Sequence, residues 1–265
     1  MKVYNFETLQ NVRDLGGTKT KDGSIIKKGK LFRGTALFYA SDNDTKTLSN
    51  KIDTIIDLRT FNEVEEMPHP QDKFPNSKYI HNPIVKKMKM ILAKDKESQS
   101  MTLEQAHVLT EKEAKKLMSD FYILIASNKD SQKAYRNFIN ILADDNTNAT
   151  YWHCSYGKDR AGMAAALILY ILGVDKDTIY DDYIYSTGFL IPHIEQSMDK
   201  IIEKFDFNIN VDAFMYMQTS DIEYIESLVN YVIDEYGSVD NYITNELKIS
   251  EDIKQKLKDK YLTKN

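Results

Sequence analysis

Residues 151–172 read YWHCSYGKDRAGMAAALILYIL, and this stretch decides the fold. The lead-in Thr150-Tyr-Trp-His153 predicts a short apolar strand. A helix-forming run follows from Arg160 onward. The loop between them opens on Cys154, the single cysteine of the chain, and closes on Arg160, a Cys-x5-Arg spacing. In such a junction successive backbone N–H groups can turn inward, and the helix N-terminus adds partial positive charge. The result is a cradle for a tetrahedral dianion. Gly157 suits a backbone that bends sharply or approaches a ligand closely. Arg160 can hold two phosphate oxygens with its planar fork, which a lysine cannot do. Cys154, at the rim, sits in the same positive field, which favours a thiolate aimed at phosphorus and a covalent phosphocysteine.

Two other readings of the cysteine are weaker. A buried structural thiol is the common fate of a lone cysteine, but it does not explain His153, Cys154, Gly157, Lys158 and Arg160 gathered ahead of one helix. A rhodanese-like sulfur carrier also closes a cysteine loop with arginine, but over a shorter spacing. The segment His153-Cys154-Ser155-Tyr156-Gly157-Lys158-Asp159-Arg160 resembles the signature of the cysteine-dependent protein tyrosine phosphatases. Gly-Lys-Asp-Arg narrows the resemblance to the atypical bacterial branch, the tyrosine/lipid phosphatases of mycobacterial and Listeria type. Lys158 is similar to the loop lysine of phosphoinositide phosphatases. Asn11-Val-Arg-Asp-Leu-Gly-Gly17, Leu31-Phe-Arg33, Asp57-Leu-Arg59 with Glu63, and Tyr236-Gly-Ser-Val-Asp-Asn-Tyr242 look like further blocks of that branch in the right order. Roughly residues 85–118 fall outside the resemblance.

The resemblance implies an α/β fold, a cysteine-based phosphatase fold with a central, mostly parallel sheet of four to five strands flanked by helices and a helical lid insertion. It implies that Arg13, Asp14 and Arg33 lie beneath or beside the phosphate loop, chiefly as structural support. It implies that one carboxylate of Asp181-Asp182 braces that loop. One position departs from the family. A threonine or serine usually follows the arginine, and its hydroxyl helps the sulfur leave the phosphoenzyme; here the residue is Ala161, which implies slower breakdown of the intermediate.

Composition sets the outer bounds. The 265 residues are 42% hydrophobic and 28% charged, a globular balance. A net charge of −5 argues against general nucleic-acid binding, which needs a basic surface. One cysteine cannot form an internal disulfide and fits a reducing compartment. MKVYNFETLQ has no apolar signal core, so a cytoplasmic location is expected, or secretion if a signal was removed before the numbering starts. The run Ala161 to Val174 is shorter than the ~18 residues of a membrane span and reads as a buried helix. No repeat, linker or domain boundary interrupts residues 1–265, which read as a single domain. The five histidines show no close pairing and one cysteine cannot build a zinc site, so neither metal nor cofactor is expected.

Along the chain, Ser24-Ile-Ile and Leu31-Phe-Arg flank Lys28-Gly29-Lys30 and predict a hairpin. Residues 42–52 predict a short helix. Asp53-Thr-Ile-Ile-Asp-Leu-Arg59 predicts a central parallel strand. Ligands of open α/β sheets bind beyond the carboxyl ends of the strands, which places Asp57 and Arg59 near the site and lets Glu63 pair with an arginine there. Lys78 to Pro83 reads as another strand. Residues 86–119 read as a lid, with capping boxes at Thr102-Leu-Glu-Gln105 and Thr110-Glu-Lys-Glu113. Lys86, Lys87 and Lys89 alternate with Met88 and Met90, a pattern of a solvated helix face or of transient contact with anionic lipid. Phe121 to Leu142 predicts one or two amphipathic helices making core contacts. Gly173 ends the catalytic helix. Separate helices are expected at 177–186 and 191–205. Ser220-Asp-Ile-Glu223 caps a helix ended by Gly237, and Ser250 to Tyr261 forms a lysine-rich terminal helix, solvated on its outside.

The chemistry needs a nucleophile, charge stabilisation and a general acid. Cys154 is the nucleophile. Arg160 and the amides of Ser155, Tyr156, Gly157, Lys158, Asp159 and Arg160 hold the phosphate, with added charge from Lys158. His153 supports Cys154 from behind. Asp159 is the first choice of acid, Asp57 the second, a lid carboxylate the third. The expected substrates are phosphotyrosine proteins, with phosphoserine/threonine proteins and phosphoinositides beside them. The alternatives are a phosphate-binding pseudophosphatase, supported by Ala161, and a Cys–His hydrolase, for which the loop calls for no distant histidine.

Overall fold

The structure, a computed structural model, describes residues 2–85, 109–205 and 210–263. Six strands form one sheet: β1 (Lys2–Val3), β2 (Arg13–Asp14), β3 (Leu31–Gly34), β4 (Thr54–Asp57), β5 (Lys78–His81) and β6 (Thr150–His153), in the spatial order β1-β2-β3-β6-β4-β5. The four longer strands β3, β6, β4 and β5 run parallel, and the two-residue β1 and β2 add an antiparallel edge. Every residue of β3, β4 and β6 is buried. That is why these strands read as near-continuous apolar runs rather than as alternations. Alternation still sorts the faces. Phe32, Ile55 and Tyr151 enter a smaller core with Leu9, Leu37 and Phe74, whereas Leu31, Ile56 and Trp152 enter the larger one beneath the helices.

The helices are α1 (Asp42–Ser49), α2 (Phe61–Glu66), α3 (Glu111–Ser127), α4 (Lys129–Ala143), α5 (Asp159–Ile171), α6 (Lys176–Phe205), α7 (Val211–Gln218), α8 (Ile222–Tyr236) and α9 (Glu251–Tyr261). Thr110 and Glu113 form the expected capping box at the start of α3. Asn128 both ends α3 and caps α4 through its side chain, which divides the predicted amphipathic stretch in two. Tyr122, Ile125, Tyr135, Phe138, Ile139 and Leu142 are buried, as core residues. Gly173 and Gly237 both take positive φ just past their helices.

Three expectations need correction. The segments 24–26 and 31–33 do not pair. Leu31–Gly34 takes Arg13–Asp14 as its antiparallel neighbour, and Ile25 and Ile26 only bridge Lys19 and Leu262. Asp14 explains the choice: its carboxylate accepts from the amides of Gly16 (2.8 Å) and Gly29 (2.7 Å) and joins the two glycine turns. Second, 177–186 and 191–205 are parts of one helix, α6. Burial of Ile179, Tyr180, Tyr183 and Leu190 carries it through Gly188, so packing overrides local propensity. Third, Asp221 rather than Ser220 caps α8. The terminal helix α9 is exposed on its outer side and buries Lys254, Leu257 and Tyr261 on its inner face. Of the expected lid, residues 86–108 and the Thr102 box lie outside the described residues, whereas 111–119 open α3, which packs on α7 and α8.

The register positions the site. Gly34 and Asp57 both lie opposite His153. The carboxyl ends of β3, β6 and β4 are therefore level, and the loops after them converge.

Candidate active site

Cys154 is buried and has no disulfide partner. It lies where β6 ends, and α5 begins at Asp159. The carbonyls of the loop between them turn outward onto donors. Ser155 O accepts from Ala36 N (3.1 Å) and Tyr156 O from Asn11 Nδ2 (3.1 Å). Gly157 O and Lys158 O accept from one Arg33 nitrogen, at 2.7 and 3.2 Å. In a trans peptide the C=O of one residue and the N–H of the next point in opposite directions. The N–H groups of Tyr156, Gly157, Lys158 and Asp159 therefore face away from those donors, toward the concave side. No side chain caps the start of α5, which leaves its N-terminal field to a ligand. Gly157 has φ +68°, and a Cβ there would overlap the Gly34 carbonyl, so only glycine brings the loop this close to β3.

Glu63 clasps both sides of the loop. Arg160 donates to it through both terminal nitrogens, at 2.6 and 2.7 Å, and Ser155 Oγ donates to it as well. The capping box of α2, formed by Thr60 and Glu63, sets its position. Burial alone would push the Glu63 carboxyl upward, but the Arg160 and Ser155 bonds outweigh it and hold the group at about 2. Arg160 is itself shifted upward, because Glu63 and the Cys154 sulfur overcome the cost of its burial.

A second brace lies underneath. Asp182 on α6 accepts from Arg13 Nε and from Arg33, each at 2.6 Å. Arg33 in turn grips Gly157 and Lys158, so the carboxylate acts on the loop through a buried arginine. Burial and the nearby Arg13 lower the Arg33 guanidinium to about 10. Asp181 is exposed and takes no part. Asp14 is placed differently from its expectation: its carboxylate serves the two glycine turns rather than the phosphate loop.

His153 lies behind Cys154. Its Nδ1 is 3.0 Å from the Cys154 carbonyl, which must accept, so the proton is on Nδ1. Burial lowers its basicity against the pull of Asp57, 3.7 Å away. Asp57 and Arg59 form a buried pair at 2.7 Å, and Tyr79 also donates to Asp57. Burial would raise the Asp57 carboxyl, but His153 and Arg59 outweigh it and leave it well below the ordinary range. The remaining Arg59 nitrogen donates to Met67 O, so this arginine faces α2 and not the loop.

Lys158 corrects the expectation that its charge faces the cradle. Its Nζ donates to Met217 O and Thr219 O, both at 3.0 Å, and lies 3.3 Å from Asp159. A cation suits these last carbonyls of α7. The Asp159 carboxylate accepts from Tyr122 (2.7 Å), whose hydroxyl also meets that of Tyr183. Tyr122, Tyr183, Asn11 and the carbonyls of 217 and 219 were not readable as site residues, because each reaches the loop from a distant part of the chain. Phe38, Tyr39, Phe61 and Tyr156, which follow β3, β4 and β6 in the chain, are exposed aromatics. Among the described residues no three His, Cys, Asp or Glu converge to hold a metal ion, and no helix is long and apolar enough to cross a membrane.

Residues 4–263 match the profile of a tyrosine phosphatase family. The chain is 26% identical over 271 residues to the triple specificity protein phosphatase PtpB of Mycobacterium tuberculosis, an alignment spanning 92% of this chain and 93% of PtpB. It is 24% identical over 246 residues to a protein of Cupriavidus necator provisionally named a tyrosine-protein phosphatase, spanning 92% of this chain and 84% of the relative.

Proposed function

The chain belongs to the tyrosine phosphatase family, in its atypical bacterial branch, and from that premise we propose that it hydrolyses aryl phosphomonoesters through a phosphocysteine intermediate. The observation that carries this reading is the loop whose carbonyls are all drawn outward, with Cys154 at one end and Arg160 at the other. The Cys154 thiolate attacks phosphorus, forming the S–P bond as the P–O ester bond breaks. The inward amides and Arg160 hold the equatorial oxygens. Glu63 takes one edge of the guanidinium, and the fork has five N–H donors, so a second edge remains for phosphate. Water then attacks phosphorus, the S–P bond breaks, and phosphate leaves.

Asp159 is the proposed general acid. It protonates the leaving oxygen in the first step and accepts a proton from water in the second. Its side chain is partly exposed and is oriented by Tyr122. Asp57 fits the role poorly, because it is buried, ionised and bonded to Arg59 and Tyr79, with no proton to give. Asp159→Asn should lower turnover by about 10²–10⁴-fold on poor leaving groups and far less on good ones. A Brønsted series over substituted phenyl phosphates measures this, and parallel losses across the series would remove Asp159 from the role.

The exposed aromatics that follow β3, β4 and β6 support aryl esters as the leading substrates. PtpB is named a triple specificity protein phosphatase, and by analogy phosphoserine/threonine proteins and phosphoinositides are proposed as secondary substrates. The tie of Lys158 to α7 gives the lipid reading no direct support. Phosphate release from a phosphotyrosine peptide, a phosphoserine peptide and phosphoinositide vesicles tests the order. The phosphotyrosine peptide should lead by at least about tenfold, a margin of ~1.4 kcal/mol. A lipid in first place would reverse the assignment.

Ala161 bears on turnover. It is fully buried, with its carbonyl accepting from Trp152 (3.1 Å). Ala161→Thr should raise kcat several-fold on a good leaving group, where breakdown of the phosphoenzyme governs, and shrink any burst. Overpacking at this site costs about 1–3 kcal/mol of stability, which a parallel melt separates from catalysis. An unchanged or lower kcat in a folded variant rejects the role of the missing hydroxyl.

A further inference from the structure

We infer that a cavity between α5, α6 and α8 binds a single-chain amphiphilic anion, an alkyl carboxylate. The cavity has a volume of about 220 Å³ and includes none of the loop residues 154–160. Its walls are apolar, with Ala166 and Leu167 from α5, Ile179 from α6, and Leu228 and Val232 from α8. The volume lies below the ~300–1,000 Å³ of pockets for drug-sized molecules, so it suits one alkyl tail rather than a fused ring system.

The polar groups of the wall point to the head group. Four tyrosines line the cavity. Tyr135 donates to Arg160 O (3.2 Å), Tyr170 to Asp240 (2.9 Å) and Tyr242 to Ala126 O (2.9 Å). The hydroxyl of Tyr180 is buried and, beside the Lys176 ammonium, which can only donate, has no acceptor among the described residues. An unmade hydrogen bond of this kind is costly, and a ligand oxygen is the acceptor it lacks. Lys176 stands over the ring of the same tyrosine, with Nζ 4.7 Å from its centroid. Glu226 is 3.9 Å from that ammonium, too far for a tight pair. Lys21 is the second cation of the lining, tied there by its amide to Gly173 O (2.9 Å). The Lys176 ammonium, a second lysine in the lining and a phenol without an acceptor, beside an apolar slot, match a carboxylate on a hydrocarbon chain. A neutral alcohol gains nothing from the lysine charge, and a cationic amphiphile meets a like charge at Lys176.

Titration calorimetry of the full chain with octanoate, decanoate, decanol and decyltrimethylammonium, all below their micelle concentrations, tests the site. Decanoate should bind saturably and one to one. Its affinity should exceed that of octanoate by about fourfold per methylene. Decanol should bind at least tenfold more weakly and the ammonium amphiphile not at all. The double variant Lys21→Glu, Lys176→Glu changes only exposed side chains, so it should fold normally. It should cut decanoate affinity tenfold or more while leaving decanol binding unchanged. Leu228→Trp, which fills the slot, should abolish both. Equal binding of decanoate and decanol overturns the head-group assignment. Decanoate that is displaced by inorganic phosphate and indifferent to the lysine variants lies at the Cys154 loop, and that result overturns the site. Absence of decanoate binding overturns it too.

Discussion

Cys154→Ser should abolish phosphate release, by a factor on the order of 10⁴–10⁶, while aryl phosphate still binds. A serine hydroxyl in the same position stays protonated and is a poor nucleophile without an adjacent base. Neither His153 nor Asp57 supplies one. His153 sits behind the residue with its Nδ1 proton committed to the Cys154 carbonyl, and Asp57 beyond it is paired with Arg59. The anion cradle does not depend on sulfur. Its amides are aimed by carbonyls bonded to Ala36, Asn11 and Arg33, and its arginine is held by Glu63. Binding and chemistry should therefore separate in this variant. Stopped assays for phosphate give the rate, and calorimetry with a phosphotyrosine peptide gives the affinity. Residual turnover above about one per cent of wild type would remove Cys154 as the nucleophile, since the loss would then be under ~3 kcal/mol of barrier. Loss of rate together with loss of binding would indicate a damaged loop.

Asp182→Asn should destabilise the fold by about 3–5 kcal/mol, the usual cost of breaking a buried ion pair from one side. The carboxylate neutralises two guanidinium groups, Arg13 and Arg33, that are completely buried. Asparagine offers one oxygen and no charge, so both cations are left uncompensated. The effect should reach activity. Arg33 holds Gly157 O and Lys158 O, and a shift of that arginine frees the carbonyls that keep the loop amides turned inward. Urea denaturation measures the first effect and kcat/KM of the folded fraction the second. A change in stability under 1 kcal/mol would mean that the arginines find other partners. The pH dependence has a definite sign. Burial opposes ionisation of Asp182, but Arg13 and Arg33 outweigh it and lower its folded pKa. Its contribution is therefore complete above the unfolded aspartate value of about 3.9 and is lost as pH falls toward the folded value. The stability gap between wild type and variant should be constant near neutrality and narrow in acid.

What was legible in the chain was local. His153 to Arg160 carries its proposed chemistry in contiguous residues, so spacing alone pointed to a candidate nucleophile, a glycine bend and a candidate phosphate-binding arginine. β4 and β6 were legible because strands buried on both faces leave unbroken apolar runs. The pairing of 24–26 with 31–33 was not legible, because turn chemistry at Lys28-Gly29-Lys30 says that the chain reverses, not which strand it then joins. Asp14, by linking two glycine turns, settled that pairing. The local pattern separates 177–186 from 191–205, and burial of Tyr183 and Leu190 joins them in the single helix α6.

By itself the sequence determined the cradle: a cysteine, a glycine and an arginine between a buried strand and a helix, in an order that permits little else. Only the tertiary structure decided how the charges around it are shared. It chose Asp182 over Asp181, since adjacent residues of a helix lie about 100° apart and only one faced the buried arginines. It gave Glu63 to Arg160 while Arg59 went to Asp57, and it turned Lys158 away to the end of α7. The physical reason is that an ion pair is chosen by distance and desolvation in three dimensions. Most of these partners lie 59 to 169 positions apart along the chain and leave no local trace of the choice, whereas Asp57 and Arg59 are only two positions apart.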